Sequence, residues 1–310
     1  MAAEPAERRA PTRRATLIGL AAGIAHVGAG RADTIPGPRP SYTDRPLGAV
    51  PNAQAIGRRY WSPGLDEGFV PQGLTVFGDE VLVAAYRSAD PRQDNGPARV
   101  FRLAMADGRL LGQFDLPAEY GHPGGLAMRG STLVVANSSR ILALDLPLDP
   151  GGAPKPAGEW RVERAMGPSF LASDAEALWF GPFRREGRPL LYRVTLSAFS
   201  PGRTAPITAA DASRTLALPL FSQGATFDRE GGLWISTSAG NRPAGLHRLD
   251  ATSGAVLASY AAPGGIEDLG CAADGRLWAV SEAGTRRWNR WDTFFPLVFE
   301  IDTAKLVEPA

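Results

Sequence analysis

The sequence predicts an all-β chain folded as a β-propeller, with five blades expected and six as the alternative. Two observations predict this. Five matched segments recur along the chain: VPQGL (70–74), HPGGL (122–126), GPSFL (167–171), FSQGA (221–225) and GIEDL (265–269). Their third residues, Gln72, Gly124, Ser169, Gln223 and Glu267, stand 52, 45, 54 and 44 residues apart, the period of one four-stranded blade. Several segments also lead into similar hairpins, DREGGLW (228–234), ADGRLW (273–278) and SDAEALW (173–179), in which Asp and Gly suit a tight turn and Trp opens the second strand. A propeller brings the register residues to the mouth of one central channel.

The elements follow in chain order. Residues 1–32 read as an export signal: Arg8, Arg9, Arg13 and Arg14 form a positive leader, 17–27 is a short apolar run, and Val27, Gly28, Ala29, Gly30 and Ala32 are small residues suited to cleavage. The string TRRATLI resembles the twin-arginine signal of folded-state export, departing from it at Thr16. The expected location is periplasmic or extracellular, and an apolar run this short does not provide a transmembrane anchor. Residues 33–54 are dense in Pro and Gly and read as a linker or surface strap.

The propeller is expected over 55–304, followed by a tail at 305–310. Alternation and turn residues place first-blade strands at 74–77, 81–86, 100–103 and 110–116, and second-blade strands at 126–128, 133–137, 141–144 and 160–162. After its opening strand the third blade offers 178–180, 190–194 and 216–220, and the fourth offers 233–236, 246–249 and 256–260. The fifth blade has only 277–280 and 297–301 after its opening strand. Residues 55–61, which precede the first repeat, can supply its missing fourth strand and close the ring, removing exposed sheet edges.

Composition narrows the chemistry. The 310 residues carry a formal net charge of +1, which calls for no nucleic-acid partner. Three histidines, His26, His122 and His247, with the first in the leader, exclude a three-histidine zinc site in the mature chain. The single Cys271, in the apolar setting LGCAA, excludes an internal disulfide and reads as an inert thiol. No GxSxG elbow supports a serine nucleophile at Ser138 or Ser139.

The turn-and-tryptophan hairpins resemble those of NHL-type propellers and of the gluconolactonase (senescence-marker) superfamily, and 55–301 as a whole looks like an exported relative of them. The resemblance implies a sugar-lactone hydrolase holding a divalent cation, Ca²⁺ or Mg²⁺, above the channel. Its first-blade Glu falls at Gln72, so an amide replaces a carboxylate where a hard cation wants charge. The corresponding metal set is Gln72, Asn137 and Glu267, with Gln223 nearby. Asp268 is expected on the opposite strand face by simple alternation. The alternative is a ring of amides bonded to one another around a water-filled channel.

Blade-entry loops and the loops from second to third strands share one rim, which collects Gln72, Arg87, His122, Asn137, Arg184, Gln223, Glu267 and Glu282. If protons move there, His122, Glu267 and Glu282 are the candidates, because these types can titrate near neutral pH once buried. The long rim loop 283–296 (AGTRRWNRWDTFFP) sets Trp288 and Trp291 among Arg286, Arg287 and Arg290. Aromatic faces beside guanidinium groups suit sugars, acidic sugars or aromatic ligands. Three functional expectations stand together: a small-molecule or saccharide site on the rim with catalysis left open, a metal-dependent lactone or ester hydrolase, and a noncatalytic scaffold for a protein partner.

Overall fold

A computed structural model describes Met1 and residues 35–309; the rest of the expected export signal lies outside the described residues. The described chain forms five antiparallel sheets of four strands each, the five-bladed propeller expected from the repeat. β1 (Ile56–Trp61) precedes the first complete blade, β2 (Phe69–Phe77), β3 (Glu80–Arg87), β4 (Ala98–Ala104) and β5 (Leu110–Asp115). The second blade is β6 (Gly125–Arg129), β7 (Thr132–Asn137), β8 (Arg140–Asp145) and β9 (Lys155–Arg161). The third is β10 (Phe170–Ser173), β11 (Ala177–Gly181), β12 (Leu190–Thr195) and β13 (Ala212–Ala217). The fourth is β14 (Ser222–Phe227), β15 (Leu233–Thr237), β16 (Ala244–Leu249) and β17 (Val256–Ala262), and the fifth contains β18 (Ile266–Cys271), β19 (Leu277–Ser281) and β20 (Leu297–Ile301). Among the described residues no helix is long and apolar enough to cross a membrane.

Burial explains why the second strands read as continuous apolar runs. β15 and β19 are buried at every position, because neighbouring blades cover both faces. The outermost β5 and β17 are mostly exposed or half-buried. The core is divided into layers between successive blades. Leu74, Val83, Phe101, Trp278, Val280 and Val298 fill the layer joining first and fifth.

The ring closes as the sequence predicts. β1 pairs antiparallel with β20 and completes the fifth sheet from the N-terminal side. It also buries Tyr60 and Trp61, at 1% and 7% exposure. Losing two such aromatics forfeits about 8 kcal/mol of apolar burial, comparable with a whole domain's stability. A chain starting after Trp61 is therefore expected not to fold as a monomer, with β20 an open edge; size exclusion and far-UV circular dichroism test this, and a folded monomer would contradict it.

Two outer strands differ from expectation: in the second blade β9 covers Lys155–Arg161 where 160–162 was expected. The third blade ends with 212–217 rather than 216–220, because Pro219 has no N–H for a ladder and the pairing stops at Ala217 against Leu190. Residues 42–48 of the Pro- and Gly-rich segment lie against the rim loop of the fifth blade. Arg45 donates to the carbonyls of Asn289, Trp291 and Asp292, Tyr42 Oη donates to the Gly284 carbonyl at 2.7 Å, and Gly48 N donates to Phe294 O at 2.9 Å. These bonds fix the aromatic rim loop against the scaffold.

Candidate functional site

Bulges in the inner strands build the site. In β18, Ile266 pairs with Ser281 and Leu269 with Ala279, so Glu267 and Asp268 together oppose one partner residue. β2 has the same two-against-one step at Gln72 and Gly73, and β14 has one at Gln223. A bulge breaks the alternation of side chains and re-aims them. Glycines let the strands close in beneath: a Cβ on Gly73 would meet the Pro123 carbonyl and the Leu126 side chain at 2.9 Å.

The bulge corrects the expectation for Asp268. Its carboxylate does not turn away; it spans the axis, where Oδ2 accepts from Leu74 N at 3.0 Å and Leu126 N at 2.9 Å, and Oδ1 accepts from Ala225 N at 3.3 Å. One fully buried side chain thus ties the inner strands of three other blades to the fifth. Burial pushes this carboxyl well above its usual range, and the backbone N–H donors pull against that rise.

Just above this hub the rim residues form a network. Glu282, at the end of β19, accepts from Trp288 Nε1 at 2.7 Å and from Gln72 Nε2 at 2.9 Å through Oε2. It is also hydrogen-bonded to Glu267, which in turn receives Gln223 Nε2 at 3.0 Å. Gln72 Oε1 lies 2.9 Å from His122 Nε2, and His122 Nδ1 faces the Asp94 carbonyl. Both imidazole nitrogens therefore meet oxygen acceptors, an arrangement only the doubly protonated ring satisfies at both ends. Burial opposes that charge and lowers the His122 pKa, while the Asp94 carbonyl raises it.

The two glutamates share protons. Burial, and then the charge of Glu282, push Glu267 well above the carboxylate range, so it holds a proton and donates. Burial raises Glu282 to about 7, against the donors Trp288, Gln72 and Glu267 that favour its ionised form. A raised folded-state value stabilises the fold most below the ordinary carboxyl pKa, and that contribution disappears as pH rises through about 7. The loss is on the order of 3 kcal/mol. The melting temperature is expected to fall between pH 5 and pH 8 and to fall less in Glu282→Gln; an identical pH dependence in both proteins would contradict the assignment.

Glu282 forms part of the wall of a cavity of about 1250 Å³ that opens on the rim. Gln72, His122, Asn137, Ser169, Arg184, Gln223 and Trp288 also line it, with Ser138 and Ser139. Glu267 is only 2% exposed and reaches the cavity through Glu282. Arg87, Arg290 and Trp291 are not on the lining; Trp291 instead stacks on Trp288 with centroids 4.6 Å apart. The sequence reading missed Tyr86, which stacks on His122 at 4.8 Å, and passed over Arg287 among its neighbouring arginines. Tyr86 closes an apolar strand, and only its cross-loop neighbours mark it.

The implied metal set does not fit a hard cation. Asn137 Oδ1 accepts from Ser139 N and Arg140 N, its Nδ2 donates to the Glu119 carbonyl, Gln72 Oε1 faces His122, and the buried Glu267 carboxyl is pushed well above the carboxylate range. Asn137 therefore caps its own turn instead of reaching in beside Glu267. Among the described residues no group of three or more His, Cys, Asp or Glu side chains is placed to hold a metal.

No family model matches the chain, and no curated protein matches it. Solved structures do. The glutaminyl cyclase of Myxococcus xanthus is 12% identical with a TM-score of 0.54, over 79% of this chain and 94% of that one. This likeness shows the propeller fold. The PQQ-bound aldose sugar dehydrogenase of Streptomyces coelicolor aligns at 13% identity and a TM-score of 0.44, over 75% and 94% of the two chains. A luciferin-regenerating enzyme aligns at 11% identity and 0.43, over 78% and 94%.

Proposed function

We propose that this chain is an exported propeller that binds a small polar molecule in the rim cavity and moves a proton to or from it through Glu282, without a metal. The observation that carries the reading is the hydrogen-bonded Glu267–Glu282 pair of buried carboxyls with Glu282 on the cavity wall, where burial pushes it up to about 7 against the Glu267 hydrogen bond. A group with that value can take a proton and return it within one turnover at neutral pH. Gln72 and His122 extend the network to the rim, and Trp288 Nε1 holds Glu282 in place on the wall.

Acyl transfer on a sugar-like or lactone-like compound uses such a group. In lactone opening, water attacks the carbonyl and loses a proton to Glu282; the ring C–O bond breaks, and the proton passes to the departing alkoxide. Cyclisation of a glutaminyl amide, the activity named for the Myxococcus protein, has the same proton balance: the amine gives up a proton as its N–C bond forms, and ammonia leaves with one. Lactone and glutaminyl-peptide substrates, assayed with and without EDTA, test the reading. Turnover that survives the chelator and is lost in Glu282→Gln is expected; turnover abolished by chelation, or untouched by the substitution, would overturn it.

A further inference from the structure

The cavity carries a buried positive charge with no counterion among the described residues. Arg287 is 6% exposed, and its guanidinium lies between the Trp288 ring at 4.4 Å and the Tyr86 ring at 5.4 Å. Nη2 donates to the Pro91 carbonyl at 3.1 Å, but the buried Nε has no partner. Among the described residues no carboxylate lies within 4.0 Å of it. The contrast with Arg102 is direct: that side chain, 1% exposed, is gripped by both Glu80 oxygens at 2.6 and 2.8 Å. A buried guanidinium without an anion is costly, and aromatic faces offset only part of that cost. Burial accordingly drives Arg287 down to about 10.

Arg287 lines the same cavity as Glu282, and the two side chains meet the same indole, one at its face and the other at its N–H. The cavity's own carboxylates do not neutralise Arg287. Glu282 is held by Trp288, Gln72 and Glu267, Asp115 pairs with Arg99 at 2.6 Å, and Asp94 and Glu119 come no nearer than 4.0 Å. Arg164, Arg184 and Arg185 also line the cavity and are exposed, again without a carboxylate within 4.0 Å among the described residues.

We propose that Arg287 is the anchor of an anion subsite, and that the small molecule taken by this cavity carries a carboxylate or phosphate group. The group's oxygens meet the guanidinium on its Nη1 side, while the Trp288 and Tyr86 rings hold the plane in place. Nη1, which makes no hydrogen bond and is not sealed as Nε is, is the donor such a ligand satisfies. This inference rests on the small-molecule reading above but not on proton transfer.

The experiment is a titration of the mature protein at fixed ionic strength, followed by tryptophan fluorescence and calorimetry, with inorganic phosphate, succinate and the neutral succinamide as probes. Saturable binding of phosphate or succinate, with succinamide at least about tenfold weaker, is expected. Response to phosphate alone marks a phosphate-bearing ligand; response to succinate marks a carboxylate. In Arg287→Gln the preference for anions is expected to vanish while the melting temperature stays near wild type. Should that variant fail to fold, Arg287→Lys keeps the charge without the fork and is expected to bind about 5–10-fold more weakly. Equal binding of succinamide, no binding of either anion, or undiminished binding in the substituted proteins would overturn the subsite. Because the titration involves no turnover, its failure leaves the role of Glu282 to be decided by the EDTA and Glu282→Gln assays.

Discussion

Replacing Asp268 by alanine is expected to lower the unfolding free energy by at least about 4 kcal/mol. The carboxylate takes backbone N–H bonds from Leu74, Leu126 and Ala225, which belong to three blades far apart in sequence. Each buried donor left without an acceptor costs about 1–3 kcal/mol. The side chain is fully buried, so water does not readily replace it without reorganising the hub. Asn tests the second acceptor oxygen separately, since it keeps one acceptor oxygen but turns an NH₂ group toward N–H donors; its cost is expected to be smaller than that of Ala and still above about 2 kcal/mol. Urea denaturation monitored by tryptophan fluorescence measures both. A loss under 1 kcal/mol for Asp268→Ala would mean that the axis is wet and the hub dispensable.

The second large effect concerns Glu282. With a substrate in hand, Glu282→Gln is expected to lower kcat by about 10²–10⁴-fold, the usual weight of a positioned acid or base. Gln keeps the size and one acceptor for Trp288 and Gln72, so the fold is expected to persist. The wild-type rate is expected to rise with pH through about 7 as Glu282 ionises. Glu267 sets where that limb falls. Its carboxyl donates to Glu282 and lowers the latter's pKa, so Glu267→Ala moves the limb upward, whereas Glu267→Gln, which still has a donor, leaves it nearly in place. A limb unmoved in Glu267→Ala would show that the two carboxyls do not communicate.

The positions of the register residues were legible because a propeller imposes a period that survives in the sequence. Gln72, Gln223 and Glu267 were marked by that period alone, and the structure links them through hydrogen bonds to Glu282 and His122. Directions were less legible. Asp268 was assigned to the wrong face because alternation assumes an unbroken strand, and the two-residue step between Ile266 and Leu269 carries no signature in GIEDL. Asn137 looked like a ligand from its place at a strand end, yet its side chain is spent on the turn that follows. Trp291 and Arg290 shared a loop with Trp288 but not its orientation.

Apolar periodicity, turn chemistry and the count of strands are local to the chain, and they specify the all-β class, the five-fold repeat and the closure by residues before the first blade. Which carboxyls meet, that Asp268 sits on the axis, and that Arg287 is buried with no carboxylate within 4.0 Å among the described residues emerge only when the blades assemble. Those outcomes depend on strands and loops separated by 50 to 200 residues converging at one rim, and on bulges that re-aim single side chains. Pair distances, burial and shared protons are properties of that convergence and leave no local pattern in the chain.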